Sequence, residues 1–92
     1  MWTIFEASSV AKIVGRLPGN VVEKYEIWKA IVRVDGPAGL RTIKGFHDES
    51  LEGSWRGFRS SRLNRQYRVI YRVVSMEVRV FVERISAHDY RR

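Results

Sequence analysis

The 92-residue sequence contains no cysteine and only two histidines, His47 and His88. This excludes a disulfide scaffold and thiolate-held zinc, and it leaves too few imidazoles for a His-rich metal cage. A protein with no metal and no small-molecule cofactor is expected. No apolar run approaches the roughly 18 residues that a membrane span needs. The opening Met1-Trp2-Thr3-Ile4-Phe5-Glu6 has neither the basic flank nor the long apolar stretch of a signal peptide. A cytoplasmic protein without a membrane partner is the expectation. Internal repeats, low-complexity tracts and linkers rich in Pro, Gly or Ser are missing as well, so residues 1–92 read as a single domain. Acid is also short, with ten Asp and Glu against seventeen Lys and Arg, a formal charge of +7. A polyanion, an acidic protein or a membrane surface would answer such a charge.

Periodicity sets out the elements. Trp2 to Glu6 is β-prone, and Ser8 or Ser9 can cap a helix whose apolar positions are Val10, Ile13, Val14 and Leu17, closed by Pro18-Gly19. Asn20 and Glu23 have the spacing of a capping box. Val21, Tyr25, Trp28 and Val32 then recur as one helical stripe, widened by Val22 and Ile31, until Gly36-Pro37. From Asp35 to Ser54 the pattern is irregular, with an acidic patch at Asp48, Glu49 and Glu52 and room for a short strand or turn at Leu40 to Phe46. Trp55 to Ser60, Tyr67 to Val74 and Val78 to Ile85 are rich in Val, Ile, Tyr and Phe. Breaks at Asn64-Arg65-Gln66 and Ser75-Met76-Glu77 make them an antiparallel meander. The sum is an α+β domain, β-α-α-β-β-β, with two helices on one face of the sheet and the other face free.

The charge has a location. Arg56, Arg59, Arg62, Arg65, Arg68 and Arg72 fall in a stretch from Gly53 to Arg72 that holds no acid. All are arginine, whose planar fork suits phosphate and stacks on bases. Strand alternation puts Arg68, Ile70 and Arg72 on one face and Tyr67, Val69, Tyr71 and Val73 on the other, core face. Arg59 and Arg62 are expected to add to the first set from the neighbouring strand. The polar side of the second helix carries Glu23, Lys24, Glu26, Lys29 and Arg33, a mixed set unlike the basic face of a membrane-surface helix. Trp55 and Phe58 read as packing residues, whereas Tyr67 reads equally as core or as a partner for an unstacked base.

The strings Gly53-Ser54-Trp55-Arg56-Gly57-Phe58-Arg59 and Tyr67-Arg68-Val69-Ile70-Tyr71-Arg72-Val73, followed by Ala87-His88-Asp89-Tyr90, resemble the RelE/ParE superfamily of bacterial toxin–antitoxin systems, especially its YafQ-like and HigB-like branches. The resemblance covers nearly the whole chain and implies a small RelE-like fold. It also implies a ribosome-dependent, metal-independent endoribonuclease that cuts mRNA in the A site by 2′-OH attack on the adjacent phosphate. Arg68 matches the arginine of the family's strand motif and would stabilise the phosphorane. His88 matches the C-terminal histidine and would move a proton. Arg62 stands where YafQ-like members carry a histidine, and it serves better as a second phosphate clamp than as a base. Tyr90 lies near the family's terminal aromatic. Arg56, Arg59, Arg65, Arg72, Lys44, Tyr67 and His47 complete the candidate set for RNA or ribosome binding. The implied partners are mRNA, the ribosome and a cognate antitoxin. Two other readings stay open: a ParE-like DNA gyrase inhibitor without catalysis, and an inactive or generic RNA-binding member.

Overall fold

The computed structural model describes residues 2–75 and 79–86. The chain runs β1 (Thr3–Glu6), α1 (Ser8–Val14), α2 (Gly19–Asp35), α3 (Pro37–Arg41), β2 (Glu49–Ser50), β3 (Arg59–Arg62), β4 (Arg68–Ser75) and β5 (Arg79–Ser86). One five-stranded sheet has the order β1-β5-β4-β3-β2. β2 to β5 form an antiparallel meander, and β1 joins its β5 edge in parallel. This is the expected α+β domain with three additions in the irregular segment: α3, a 3₁₀ turn at Lys44–Phe46, and the two-residue β2. Among the described residues no helix is long and apolar enough to cross a membrane.

The stripe on α2 is buried as its spacing demands: Val21, Tyr25, Trp28 and Val32 are fully enclosed, and they meet Val69, Tyr71 and Val82 from the sheet. Trp28 lies at the centre, with its ring 5.9 Å from Tyr25 and 5.4 Å from Tyr71. Truncating so large a buried ring costs about 3–5 kcal/mol.

The helix starts differ from the sequence reading. α1 has Ala7 at its N-cap, and α2 has Pro18, with no side-chain capping bond at either. Neither serine caps, and Asn20 and Glu23 form no capping box. The reason is local. α1 already ends at Gly15, so Pro18-Gly19 opens the next helix, and the Pro18 carbonyl accepts from the Val21 and Val22 amides at 3.0 and 3.1 Å. Pro37 instead lies within the first turn of α3, where its fixed φ suits the helix and Gly36 is the N-cap. Gly36 separates α2 from α3 at φ 72°, a left-handed value that suits glycine.

The first strand of the main hairpin is also displaced. It was expected at Trp55 to Ser60 and is found at Arg59–Arg62. Gly53 and Gly57, at φ 65° and 94°, wind Trp55 into a 3₁₀ turn, so extended backbone begins only after Gly57. The third strand, expected at Val78 to Ile85, occupies Arg79–Ser86; Met76 and Glu77 of the preceding break, and Val78, lie outside the described residues.

Candidate active site

The β3–β4 hairpin is held by one side chain. Asn64 Oδ1 accepts from the amides of Gln66 and Tyr67, both at 2.8 Å, while the Tyr67 carbonyl accepts from Leu63 and Asn64. That turn sets the register Arg62↔Arg68, Ser61↔Val69, Ser60↔Ile70 and Arg59↔Tyr71. Two guanidinium groups therefore sit directly opposite one another. Like charges in such a pair repel, by a few tenths to about 1 kcal/mol, unless an anion or a carboxylate intervenes.

A carboxylate approaches from the next strand. β2 pairs with β3 so that Glu49 faces Ser60, which puts Glu49 on the face that carries Ile70, Arg62 and Arg68. Its Oε2 is 4.0 Å from Arg68 Nη1. Arg68 is almost wholly buried and Glu49 is 41% exposed, so the cation is fixed from beneath while the carboxylate reaches solvent. Arg62 Nε is buried and has no hydrogen-bond partner among the described residues. A buried cationic donor in that state is costly unless an acceptor arrives. The result is a compact site with two cations, one carboxylate and an unpaired N–H.

The opposite face of the same strands is locked to the helices. The Asp48 side chain is fully enclosed. Its Oδ2 accepts from Arg59 Nε at 3.0 Å and pairs with Arg59 Nη2 at 2.9 Å. Its Oδ1 accepts from the hydroxyls of Ser61 at 2.8 Å and Tyr71 at 2.7 Å. Trp28 Nε1 donates to Ser61 Oγ at 2.9 Å, which ties α2 to the same group. Burial pushes the Tyr71 hydroxyl pKa far up, helped by the charge and hydrogen bond of Asp48 and opposed by Arg59. Burial works against the Arg59 cation, but the Asp48 charge and hydrogen bond outweigh it and raise its pKa. Consecutive acids thus serve opposite faces: Asp48 anchors the loop and Glu49 reaches the site.

This architecture has close structural relatives. The chain superposes on YafQ from E. coli strain BL21(DE3) with TM-score 0.75 at 16% identity, covering 96% of this chain and 94% of that one. It matches a chain of the archaeal RelE–RelB complex from Pyrococcus horikoshii OT3 with TM-score 0.72 at 22% identity, covering 97% of each. The chain has the RelE/ParE toxin fold. A third match within that fold is a chain of the YoeB–YefM complex from Staphylococcus aureus, with TM-score 0.72 at 15% identity and coverage of 97% and 99%. No family model and no curated protein matches the sequence.

On this RelE/ParE-type sheet, Arg62, Arg68 and Arg72 share one face, as alternation along β4 requires. Arg59 does not join them, because it is committed to Asp48 on the helix side. Tyr67 packs against the core cluster. The face itself is less open than expected, since Ser60 and Ile70 are fully buried and Arg68 nearly so. Arg65 is exposed at the hairpin tip, Arg56 is exposed just after the Gly53–Trp55 turn, and Lys44 and His47 are exposed on the segment that leads to β2. His47 takes the left-handed conformation, φ 45° and ψ 48°. His88 and Tyr90 lie outside the described residues. Glu49 was missed as a site residue because it read as part of an acidic patch. Asp48 and Glu52 share its position ahead of the arginine run, so nothing in the sequence singled it out. Among the described residues no group of three or more His, Cys, Asp and Glu could hold a metal ion.

Proposed function

We propose that this chain is the toxin of a type II toxin–antitoxin pair and acts as a ribosome-dependent endoribonuclease on mRNA in the A site. The observation that carries the reading is the cross-strand pair Arg62 and Arg68, with the unpaired Arg62 Nε and with Glu49 4.0 Å from Arg68. RNA cleavage by 2′-OH attack needs a proton acceptor, a proton donor and positive charge on the equatorial phosphate oxygens. Arg68 and Arg62 provide the charge, arranged to hold two oxygens of one phosphate. Glu49, solvent-accessible and acceptor-only when ionised, takes the 2′-OH proton. His88 gives a proton to the leaving 5′-oxygen, and Tyr90 steadies a neighbouring base or the phosphate. The 2′-oxygen–phosphorus bond forms as the bond to the 5′-oxygen breaks. The products are a 2′,3′-cyclic phosphate and a 5′-hydroxyl, and no step calls for a metal.

The relatives support the pairing with an antitoxin. RelE was solved with RelB, YoeB with YefM, and YafQ from E. coli with DinJ. For this chain, an acidic or amphipathic antitoxin segment that covers the arginine face would silence the site. The reading is tested by primer extension on translated mRNA after brief expression. Cuts within codons that vanish when the start codon is removed are expected. Inhibition of purified gyrase supercoiling at low protein concentration, with mRNA left intact, would replace this reading with a binding inhibitor.

A further inference from the structure

We propose that Phe58 and Arg72, backed by Trp55, form a stacking subsite for one unpaired RNA base beside the phosphate clamp. The inference rests on the nuclease reading and adds a base-contacting element to it. Arg72 follows Arg68 by four positions in β4, so it lies on the same face about 13 Å along the strand. Phe58 immediately precedes β3, and its carbonyl accepts from the Leu51 amide at 2.9 Å, which continues the β2–β3 ladder. In that register Phe58 comes opposite Arg72, and the Arg72 guanidinium carbon stands 5.3 Å from the Phe58 ring centre. Trp55 meets Phe58 in a T-shaped contact, with ring centres 5.5 Å apart and planes at 88°.

Exposure decides what such a stack can do. Phe58 and Trp55 are half-buried, so the rings are fixed, whereas Arg72, over the Phe58 ring, is exposed. Arginine guanidinium planes stack on nucleobases, and Arg72 is both exposed and set against the Phe58 ring. The base would land on a group already ordered by Phe58, which lowers the entropic cost of binding. Arg56, exposed between the two aromatics in the chain, adds a cation for the adjoining phosphate. Stacking tolerates any base, so this subsite contributes affinity and position rather than a strict sequence code.

The test uses the full chain with ribosomes programmed with mRNA whose A-site codon carries, in turn, an abasic nucleotide at each position. For the wild type, one abasic position should slow cleavage by about tenfold, the lower range for loss of one stacked base. Phe58→Leu and Arg72→Lys should each slow the normal codon by a similar factor, and the same abasic position should then cause little further loss. Arg72→Lys keeps the charge at an exposed site, so unchanged thermal unfolding separates its effect from misfolding. Variants that cleave like the wild type, or an abasic penalty that adds in full to theirs, would overturn the subsite. A wild type that cuts none of the mRNAs refutes the nuclease reading itself, and the subsite falls with it.

Discussion

Asp48 offers the most quantitative test of how the site is held. Its carboxylate is fully enclosed and takes four contacts, two from Arg59 and one each from Ser61 and Tyr71. Asp48→Ala would leave two hydroxyls and a guanidinium without their acceptor. Breaking a buried pair typically costs about 3–5 kcal/mol. Arg59 is 22% exposed and can turn partly to water, which places the expected loss near the low end, about 3 kcal/mol. Asp48→Asn keeps the shape and one acceptor for the hydroxyls but sets an amide N–H₂ against the guanidinium, so about 2 kcal/mol is expected. For a chain of this size that corresponds to a fall in Tm of about 8–16 °C. Urea unfolding followed by near-UV circular dichroism reads the change directly, because Trp28 is bonded to the same cluster. The pair Asp48→Leu with Arg59→Met should recover only part of the loss, since an apolar pair can replace the ion pair but leaves the Ser61 and Tyr71 hydroxyls without their acceptor. A loss below about 0.5 kcal/mol for Asp48→Asn, the range of ordinary surface substitutions, would refute the claim that this cluster anchors the loop.

Other outcomes follow from the same geometry. Gly36→Ala should destabilise by about 2 kcal/mol or more, measured by urea midpoint, because the residue sits at φ 72° and an added Cβ would lie 2.5 Å from the Trp2 indole. Stability should fall above about pH 10. The pKa values of Tyr71 and Tyr25 are raised, first by burial and then by Asp48 and Glu6 respectively, so the native state keeps two protons that the unfolded chain releases there. The slope should reach about 1.4 kcal/mol per pH unit for each tyrosine, and unfolding midpoints at pH 9 and pH 11 check it. In the cleavage assay Arg68→Ala should lower kcat by about a hundredfold to a thousandfold. Glu49→Gln should lower it by about a hundredfold or more. Arg62→Lys should retain more activity than Arg62→Ala, since a point charge replaces part but not all of a fork.

Much of the fold was legible because local pattern and global packing agree. The α2 stripe needed no correction, since Val21, Tyr25, Trp28 and Val32 are spaced for one face and all four are buried on it. The hairpin break at Asn64-Arg65-Gln66 was legible for the same reason: Asn64 caps its own turn. Errors arose where one residue type has two uses. Pro18-Gly19 read as a stop and works as a start, because proline suits a first helical turn as well as it ends a preceding one. Arg59 and Arg62 are three apart and cannot share a strand face, yet which of them meets Arg68 depends on register. That register is set by the Asn64 turn and by Asp48, eleven residues before Arg59. Glu49 was illegible as a site residue for a related reason. Its place beside Arg68 comes from pairing β2 to β3 across a loop shaped by two left-handed glycines, and no short window contains that information.

The central claim is that Arg62 and Arg68 hold one RNA phosphate while Glu49 takes the proton of the adjacent 2′-hydroxyl that attacks it. The most direct measurement takes programmed ribosomes whose A-site codon carries a single 2′-deoxy nucleotide at the cut position and compares the products with those from the all-ribose mRNA. The account predicts a 2′,3′-cyclic phosphate and a 5′-hydroxyl from the ribose codon, and no cut at the deoxy position. Cleavage of the deoxy codon at the same position, or 5′-phosphate ends from either mRNA, would contradict it.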